Sequence, residues 1–284
     1  MIYDCFQRHI AHGRREPSVP QEPGVPQGID PNTPNVARMY DYVLGGKDNY
    51  AADRELSGHL IASIPDGVEA LRANRRFLGR AIAYVAEQGI DQFIDLGAGL
   101  PNQGNVHEIA QGIHPHARVV YVDIDPIVIV HARALLAADD RTAAIQADMR
   151  TPETVFASDA VARLIDFDRP LGVIFNAMLH FITDDEDPAG IVAAFTDRLA
   201  PGSHLVISHS TLDDRPADLV QIIEAAYENA SATMNFRDHD QILRLFNGLS
   251  LVEPGLVKVN RWRTDATEAA ASGGAWVYGG VAVK

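Results

Sequence analysis

From Gly89 onward the chain alternates short, almost unbroken apolar runs with helix-length segments. The runs are Gln92–Leu96, Arg118–Asp123, Ala143–Gln146, Leu171–Asn176 and His204–His209. A strand with one wet face alternates apolar and polar positions; these do not, so they predict strands buried on both faces. Between them, Gly104–Gly112, Pro126–Ala138, Thr151–Leu164 and Pro188–Leu199 predict helices. Strand and helix in alternation imply right-handed crossovers and a parallel sheet covered on both sides. Beyond Asp214 the pattern predicts helices over Asp218–Ala230 and Asp238–Asn247 and closing strands over Leu251–Val259 and Ala275–Val283.

Upstream the period changes. Val36, Met39, Tyr40 and Val43, then Leu71, Leu78, Ile82 and Val85, recur at helical spacing and predict amphipathic helices over Asn35–Gly46, Asn49–Ile64 and Gly67–Gln88. Asp66 stands where it would cap the third, and Gly89 where that helix would stop. Pro17, Pro20, Pro23, Pro26, Pro31 and Pro34, with little apolar material between them, predict extended or disordered chain. The expected organisation is a leader over 1–29, an N-terminal helical lid over 30–88 and an α/β domain over 89–284, with 30–284 forming one structural unit.

With 284 residues, 24 Lys+Arg against 38 Asp+Glu and a net charge of −14, the chain has length for one large core but no general attraction for phosphate backbones. A dedicated nucleic-acid binder is not expected. Cys5 is the single cysteine, which excludes an intramolecular disulfide and a multi-cysteine zinc site and fits a reducing cytoplasm. The histidines are too scattered to predict a metal site. No apolar run reaches the roughly 18 residues a membrane helix needs, and Met1–Arg15 lacks a signal-peptide core, so a cytoplasmic protein is expected.

In an open parallel sheet, ligands sit beyond the carboxyl ends of the strands. After the first run comes Asp95-Leu96-Gly97-Ala98-Gly99-Leu100-Pro101-Asn102. Gly97 and Gly99 permit a tight turn and close approach by a ligand. A dinucleotide fingerprint would place Gly or Ala where Asn102 stands, and Asp95 would oppose a pyrophosphate. A ligand with an ammonium or sulfonium and no phosphate, such as S-adenosylmethionine, would instead be attracted. The second run ends in Val122-Asp123-Ile124-Asp125-Pro126, where Asp123 can accept from both hydroxyls of a ribose and Asp125 can cap the next helix. After the third, Asp148 offers a carboxylate to an exocyclic amine and Met149 an apolar face to adenine.

The segments Pro34–Tyr42, Leu44–Tyr50, Asn74–Leu78, Phe93–Pro101 and Tyr121–Pro126 together resemble the class I S-adenosylmethionine-dependent methyltransferases. More specifically, the chain is similar to the actinobacterial S-adenosyl methyltransferase family once catalogued as a domain of unknown function, from about Asp30 to Lys284. The resemblance implies a Rossmann-like, seven-stranded, mostly parallel sheet whose last strand, Ala275–Val283, is antiparallel. It also implies S-adenosylmethionine as cofactor, contacted by Asp95, Gly97, Gly99, Asp123, Asp148 and Met149. It carries over no defined substrate.

The fourth run leads into Asn176-Ala177-Met178-Leu179-His180-Phe181, where such an enzyme faces its acceptor. Asn176 can bond the cofactor's amino-acid part or line the acceptor pocket. His180 is the candidate general base, with a histidine packed beneath the sheet as the plain alternative; His209 is a secondary candidate. Gly45-Gly46-Lys47 interrupts a helical pattern, which suggests a hinged lid whose Arg38 or Lys47 pairs with the methionine carboxylate. Three functions stay open: methylation of a small-molecule acceptor, NAD(P)-dependent oxidation, and non-catalytic sensing of the nucleoside cofactor.

Overall fold

The apolar runs pair side by side in a computed structural model that describes residues 30–63, 66–101, 104–136, 140–217, 220–221, 234–265 and 276–284. Strands β1 (Gln92–Leu96), β2 (Arg118–Asp123), β3 (Thr142–Gln146), β4 (Gly172–Asn176) and β5 (His204–Ser210) are parallel, in the order β3-β2-β1-β4-β5. Three further strands, β6 (Ser250–Leu251), β7 (Val257–Lys258) and β8 (Val277–Val283), close the sheet at eight. β8 runs antiparallel to β5, from His204 opposite Val283 to Ser210 opposite Val277, and β6 and β7 pair on it. The chain builds outward from β1 to β3 and then returns to place β4 on the other side of β1. Strand order reverses there, and it is at the carboxyl ends of the strands beside such a reversal that open α/β sheets bind their ligands.

Three N-terminal helices, α1 (Val36–Val43), α2 (Ala51–Ser63) and α3 (Gly67–Glu87), precede the sheet. α3 buries Ala70, Ala73, Phe77, Ala81, Ile82 and Val85 along one stripe against Phe93, Val119, Ile174, Val206 and Val281. Phe77 meets Trp262 edge-on at 5.4 Å, and Arg80 donates to the carbonyls of Val259 and Trp262 at 2.7 and 2.8 Å, tying α3 to the C-terminal part. Also on this face are α4 (Val106–Ile113) and α5 (Pro126–Leu136). α6 (Pro152–Phe156), α7 (Asp159–Leu164), α8 (Pro188–Thr196) and α9 (His239–Arg244) belong to the opposite face, over Leu96, Val122, Phe175 and Ile207. The result is the three-layer α/β arrangement that the buried strands require.

Several expectations are corrected. The sheet has eight strands rather than seven, because Leu251–Val259 is not one strand: Glu253-Pro254-Gly255 interrupts it, with Gly255 at φ +85° donating to Val252 O at 2.8 Å. Proline lacks the N–H a ladder needs, and the segment divides into β6 and β7. Thr151–Leu164 is two helices, since Ser158 breaks the first and its hydroxyl accepts from Ala160 N to start the second. Asp66 sits at φ 60° and makes no side-chain cap to α3; its carbonyl accepts from Ala70 N instead. Gly89, at φ +90°, does follow the end of α3. The leader over 1–29, Asn102 and most of the helix expected over 218–230 lie outside the described residues.

Candidate active site

β1 and β2 deliver their acids side by side. Asp95 lies within β1, opposite Tyr121 of β2, and Asp123 ends β2. Asp95 is only 5% exposed. Burial lifts its carboxyl from 3.8 to about 7; Arg75 pulls in the other direction, and the Asp123 charge adds to the rise. Among the described residues no hydrogen-bond donor to the Asp95 carboxylate is found. Asp123 is lifted to about 6 by burial even though Asp125 N donates to Oδ1 and Gly99 N to Oδ2, each at 2.9 Å. Each carboxylate oxygen keeps a lone pair for a further donor.

The two glycines of the turn have different neighbours. Gly97, at φ +76°, lies under the Met178 side chain so closely that an added Cβ would overlap it, whereas Gly99, at φ +65°, has open space where a Cβ would point. The approach of Met178 depends on Ala177, a non-glycine residue at φ 56°, which turns the chain directly after β4. A small cavity of about 20 Å³ borders the Gly99 side of the turn, lined by Arg75, Asp95, Ala98, Gly99, Asn105 and Tyr121 among others. It holds one or two water-sized groups, so a nucleoside would have to lie outside it along the ends of β2 and β3. Tyr121 closes one wall; its hydroxyl accepts from His107 N at 2.9 Å and meets His107 Nδ1 at 2.7 Å, and burial pushes its ionisation upward.

At the end of β3, Asp148 is occupied. Arg150 donates Nε and Nη2 to it at 3.0 and 2.7 Å, adds its backbone N–H at 2.9 Å, and passes Nη1 to Glu186 at 2.6 Å. Glu186 in turn accepts from Thr183 N at 2.9 Å. Met149, expected at an adenine face, is 7% exposed and packs in the core with Val122 and Val155. Asn176 is half-buried and its Oδ1 accepts from the Ser208 hydroxyl at 2.9 Å, which orients it toward β5.

His180 and His209 do not present a base. Both are buried. His180 Nδ1 accepts from Ser210 N at 3.4 Å, and burial, followed by the neighbouring His209 and Arg237, drives its protonation well below the usual histidine range. His209 Nδ1 lies 2.7 Å from Ser210 O and so must donate; its Nε2 then accepts from Arg237 Nη1 at 2.9 Å, since guanidinium only donates. Burial is the main cause that lowers His209 to about 4. Arg237, absent from the sequence-based candidates, also donates to Leu179 O, Ile182 O and Asp184 at 3.0, 2.9 and 2.6 Å. The acceptor-facing segment after β4 is thus held from below by one buried arginine.

The N-terminal helices reach this end of the sheet. Asn35 donates to Asp125 at 2.5 Å, while Ala37 and Tyr50 pack on Leu100, Ile127 and Val128. Asp125 also caps α5 through Ile127 N at 2.7 Å, the use expected of it. The hinge at Gly45-Gly46 is corrected: Asp41 O accepts from Gly46 N at 2.8 Å, and its carboxylate takes Asp48 N and Asn49 Nδ2, both at 2.9 Å. Gly46 lies against that carboxylate where no Cβ fits, so the glycines serve a pinned turn. Arg38 is corrected too: 3% exposed, it pairs with Asp53 at 2.9 Å and donates to the Thr33 carbonyl, which leaves it no part in the crevice. Lys47 is exposed on the pinned turn. Among the described residues no group of side chains could hold a metal, and no helix is long and apolar enough to cross a membrane.

A family model described as S-adenosyl methyltransferase matches residues 23–284. The chain is 39% identical to a DUF574 family protein of known structure from Streptomyces avermitilis, over 88% of this chain and 97% of that one, with a TM-score of 0.84. It is also 39% identical to a protein from Thermobifida fusca YX described as a candidate methyltransferase, over 93% of this chain and 99% of that one, again with a TM-score of 0.84. No curated protein matches the chain.

Proposed function

The chain belongs to the S-adenosyl methyltransferase family, is an enzyme that uses S-adenosylmethionine, and from that premise we propose that it methylates a small molecule by in-line displacement at the ends of β1 and β4. The observation that carries this is Asp95, a buried carboxylate at the mouth of the glycine turn that has no hydrogen-bond donor among the described residues. It is an unfavourable group to leave there, and an ammonium relieves it. A pyrophosphate would make it worse, which counts against the NAD(P) alternative that family membership already displaces.

The cofactor, when bound, supplies a methyl carbon made electrophilic by its sulfonium. The protein has to hold both reactants and keep water from the line of attack. Asp95 takes the ammonium, and Asp123 takes the ribose hydroxyls with the lone pairs left by Gly99 and Asp125. Asp148 with its partner Arg150 borders the adenine end. Asn176, Met178 and the segment pinned by Arg237 wall the acceptor side. With His180 and His209 both held neutral in fixed hydrogen bonds, neither takes the acceptor's proton, and an acceptor that arrives as a competent nucleophile needs no base from them. The acidic balance of the chain, −14 overall, favours a small acceptor over nucleic acid.

Asp123→Ala tests the binding mode. S-adenosylhomocysteine affinity, measured by calorimetry, is expected to fall about tenfold or more, and unchanged affinity would remove the ribose site. Mass spectrometry of products formed from labelled cofactor and a metabolite extract tests turnover. Binding without any labelled product would favour a sensor over an enzyme acting on small molecules.

A further inference from the structure

We propose that Ser208 locks the side-chain amide of Asn176 so that an N–H, not the carbonyl oxygen, faces the reacting centre, and that the acceptor is therefore an oxygen nucleophile, an acidic hydroxyl or a carboxylate, rather than an amine. This rests on methyl transfer at the ends of β1 and β4. Asn176 ends β4, two residues beyond Ile174, which lies opposite Asp95 of β1 and Val206 of β5. Ile174 and Val206 pack in the layer under α3, and side chains two apart on a strand share a face. Asp95, Asn176 and Ser208 therefore lie on that same face, with β4 between the strands that carry the other two.

The amide is held in one sense. Ser208 is fully buried; its hydroxyl oxygen accepts from Ala177 N at 2.9 Å, and its proton goes to Asn176 Oδ1, also at 2.9 Å. With the amide reversed, two N–H groups would meet the hydroxyl, and its own proton would lose the acceptor it has, leaving a buried donor unsatisfied. Oδ1 is thus turned toward β5, and Nδ2 diverges from it toward the β1 side. Asn176 is half-buried, and its Nδ2 has no partner among the described residues.

An N–H donor at this place suits some nucleophiles and not others. A neutral amine has a single lone pair, and while Nδ2 holds that pair it cannot attack the methyl carbon. An ammonium cannot accept at all. An oxygen has lone pairs to spare: one accepts from Nδ2 while another forms the new O–C bond, as the C–S bond breaks with its electron pair left on sulfur. In that step an oxyanion becomes a neutral ether or ester and the sulfonium a neutral thioether, so no proton has to move. The surroundings match, since His180 and His209 are neutral and engaged in fixed hydrogen bonds. Donation from Nδ2 favours the ionised form of an acidic acceptor, which does part of the work of a base.

The experiment uses the full chain and three ligands: S-adenosylhomocysteine; sinefungin, in which a carbon bearing an ammonium replaces the sulfonium and its methyl group; and 5′-methylthioadenosine, which lacks the amino-acid end. Affinities come from calorimetry and are compared as ratios within one protein, so a partly unfolded variant still decides the matter. The wild type is expected to bind sinefungin less tightly than S-adenosylhomocysteine, because the added ammonium meets Nδ2. Asn176→Asp replaces the donor by an acceptor and should raise sinefungin relative to S-adenosylhomocysteine by about tenfold or more, the scale of a charge-assisted hydrogen bond. Ser208→Ala frees the amide to turn and should raise the same ratio by about threefold or more. A wild type that prefers sinefungin, or a ratio that neither variant moves, overturns the proposal. So does a loss of both amino-acid-bearing ligands in Asn176→Asp with 5′-methylthioadenosine unchanged, which would assign Nδ2 to the cofactor. With labelled cofactor and a metabolite extract, the methyl group should appear in ethers or esters; labelled methylamines would overturn the proposal and leave the methyltransferase reading intact. A wild type that binds neither S-adenosylhomocysteine nor sinefungin would overturn that reading as well.

Discussion

Asp95→Asn should stabilise the ligand-free protein while damaging its cofactor site, and the gain should appear only as pH rises. The carboxyl is lifted by burial from 3.8 to about 7. An unfolded chain therefore loses this proton near pH 4, whereas the native protein holds it until near pH 7. Between those values the native state binds the extra proton, so its stability falls with rising pH and levels off above pH 7. At about 1.4 kcal/mol for each pH unit, the full effect is on the order of 4 kcal/mol. The repulsion from Asp123 is included in that figure and will relax when neighbouring charges rearrange, so about 2–4 kcal/mol is the expected range. Asparagine is close in shape to the neutral acid and never ionises.

The assay is a pair of thermal melts, wild type and Asp95→Asn, from pH 4.5 to 8. Near pH 4.5 the curves should lie closest, about 1 kcal/mol apart. By pH 8 the variant should melt higher by on the order of 5–10 °C, while its S-adenosylhomocysteine affinity is about tenfold or more below that of the wild type. Wild-type affinity should also strengthen as pH rises through 7, because the ammonium needs the ionised carboxylate, and the variant should lack that slope. A variant equally or less stable at pH 8, or a difference independent of pH, would refute a strained buried carboxylate at this position.

Three further outcomes follow from the packing. Gly97→Ala places a methyl group inside Met178 and a left-handed φ on alanine, which alone costs about 1–2 kcal/mol; Met178→Ala in the same chain should recover part of the loss in urea unfolding, and no recovery would mean the overlap is absorbed elsewhere. Arg237→Met leaves His209 Nε2 and the carbonyls of Leu179 and Ile182 without their donor. At about 1–3 kcal/mol for each unsatisfied buried group, a loss of roughly 3 kcal/mol or more is expected, and a near-neutral effect would show that the segment after β4 does not depend on this arginine. Nuclear magnetic resonance of the histidine rings should find His180 and His209 neutral from pH 5.5 to 8, with His209 gaining its proton near pH 4; a transition of either near 6.5 would restore it as a general base.

Much of the sheet was legible because its signal is local. Asp95 and Asp123 could be located from the ends of two apolar runs, since a buried parallel strand states its own limits in sequence. β6 and β7 read as one strand in sequence because apolar residues flank Glu253-Pro254-Gly255 on both sides and mask the turn at its centre. The site's second layer was not legible for a different reason. Arg150 stands two residues from Asp148, close enough for a local pair to be suspected, but Arg237 reaches Leu179, Ile182 and His209 only through the tertiary fold. Nothing around Arg237 in sequence distinguishes it from a surface arginine. Gly97 shows the same limit in reverse: its glycine was explained by a ligand, while the atom that needs the space belongs to Met178.

The two acids and the arginines divide the crevice between them. Where a carboxylate has a cation of its own, as Asp148 has Arg150 at 2.7 Å, its hydrogen-bonding capacity is already engaged and it gains little from a ligand. Where none among the described residues bonds to it, as at Asp95, burial raises its proton affinity and a ligand cation relieves the cost. Arg75 lowers that cost in part, which keeps Asp95 close enough to ionisation to bind near neutral pH without neutralising it beforehand. A stronger, bidentate arginine at that place would stabilise the empty protein and weaken the site.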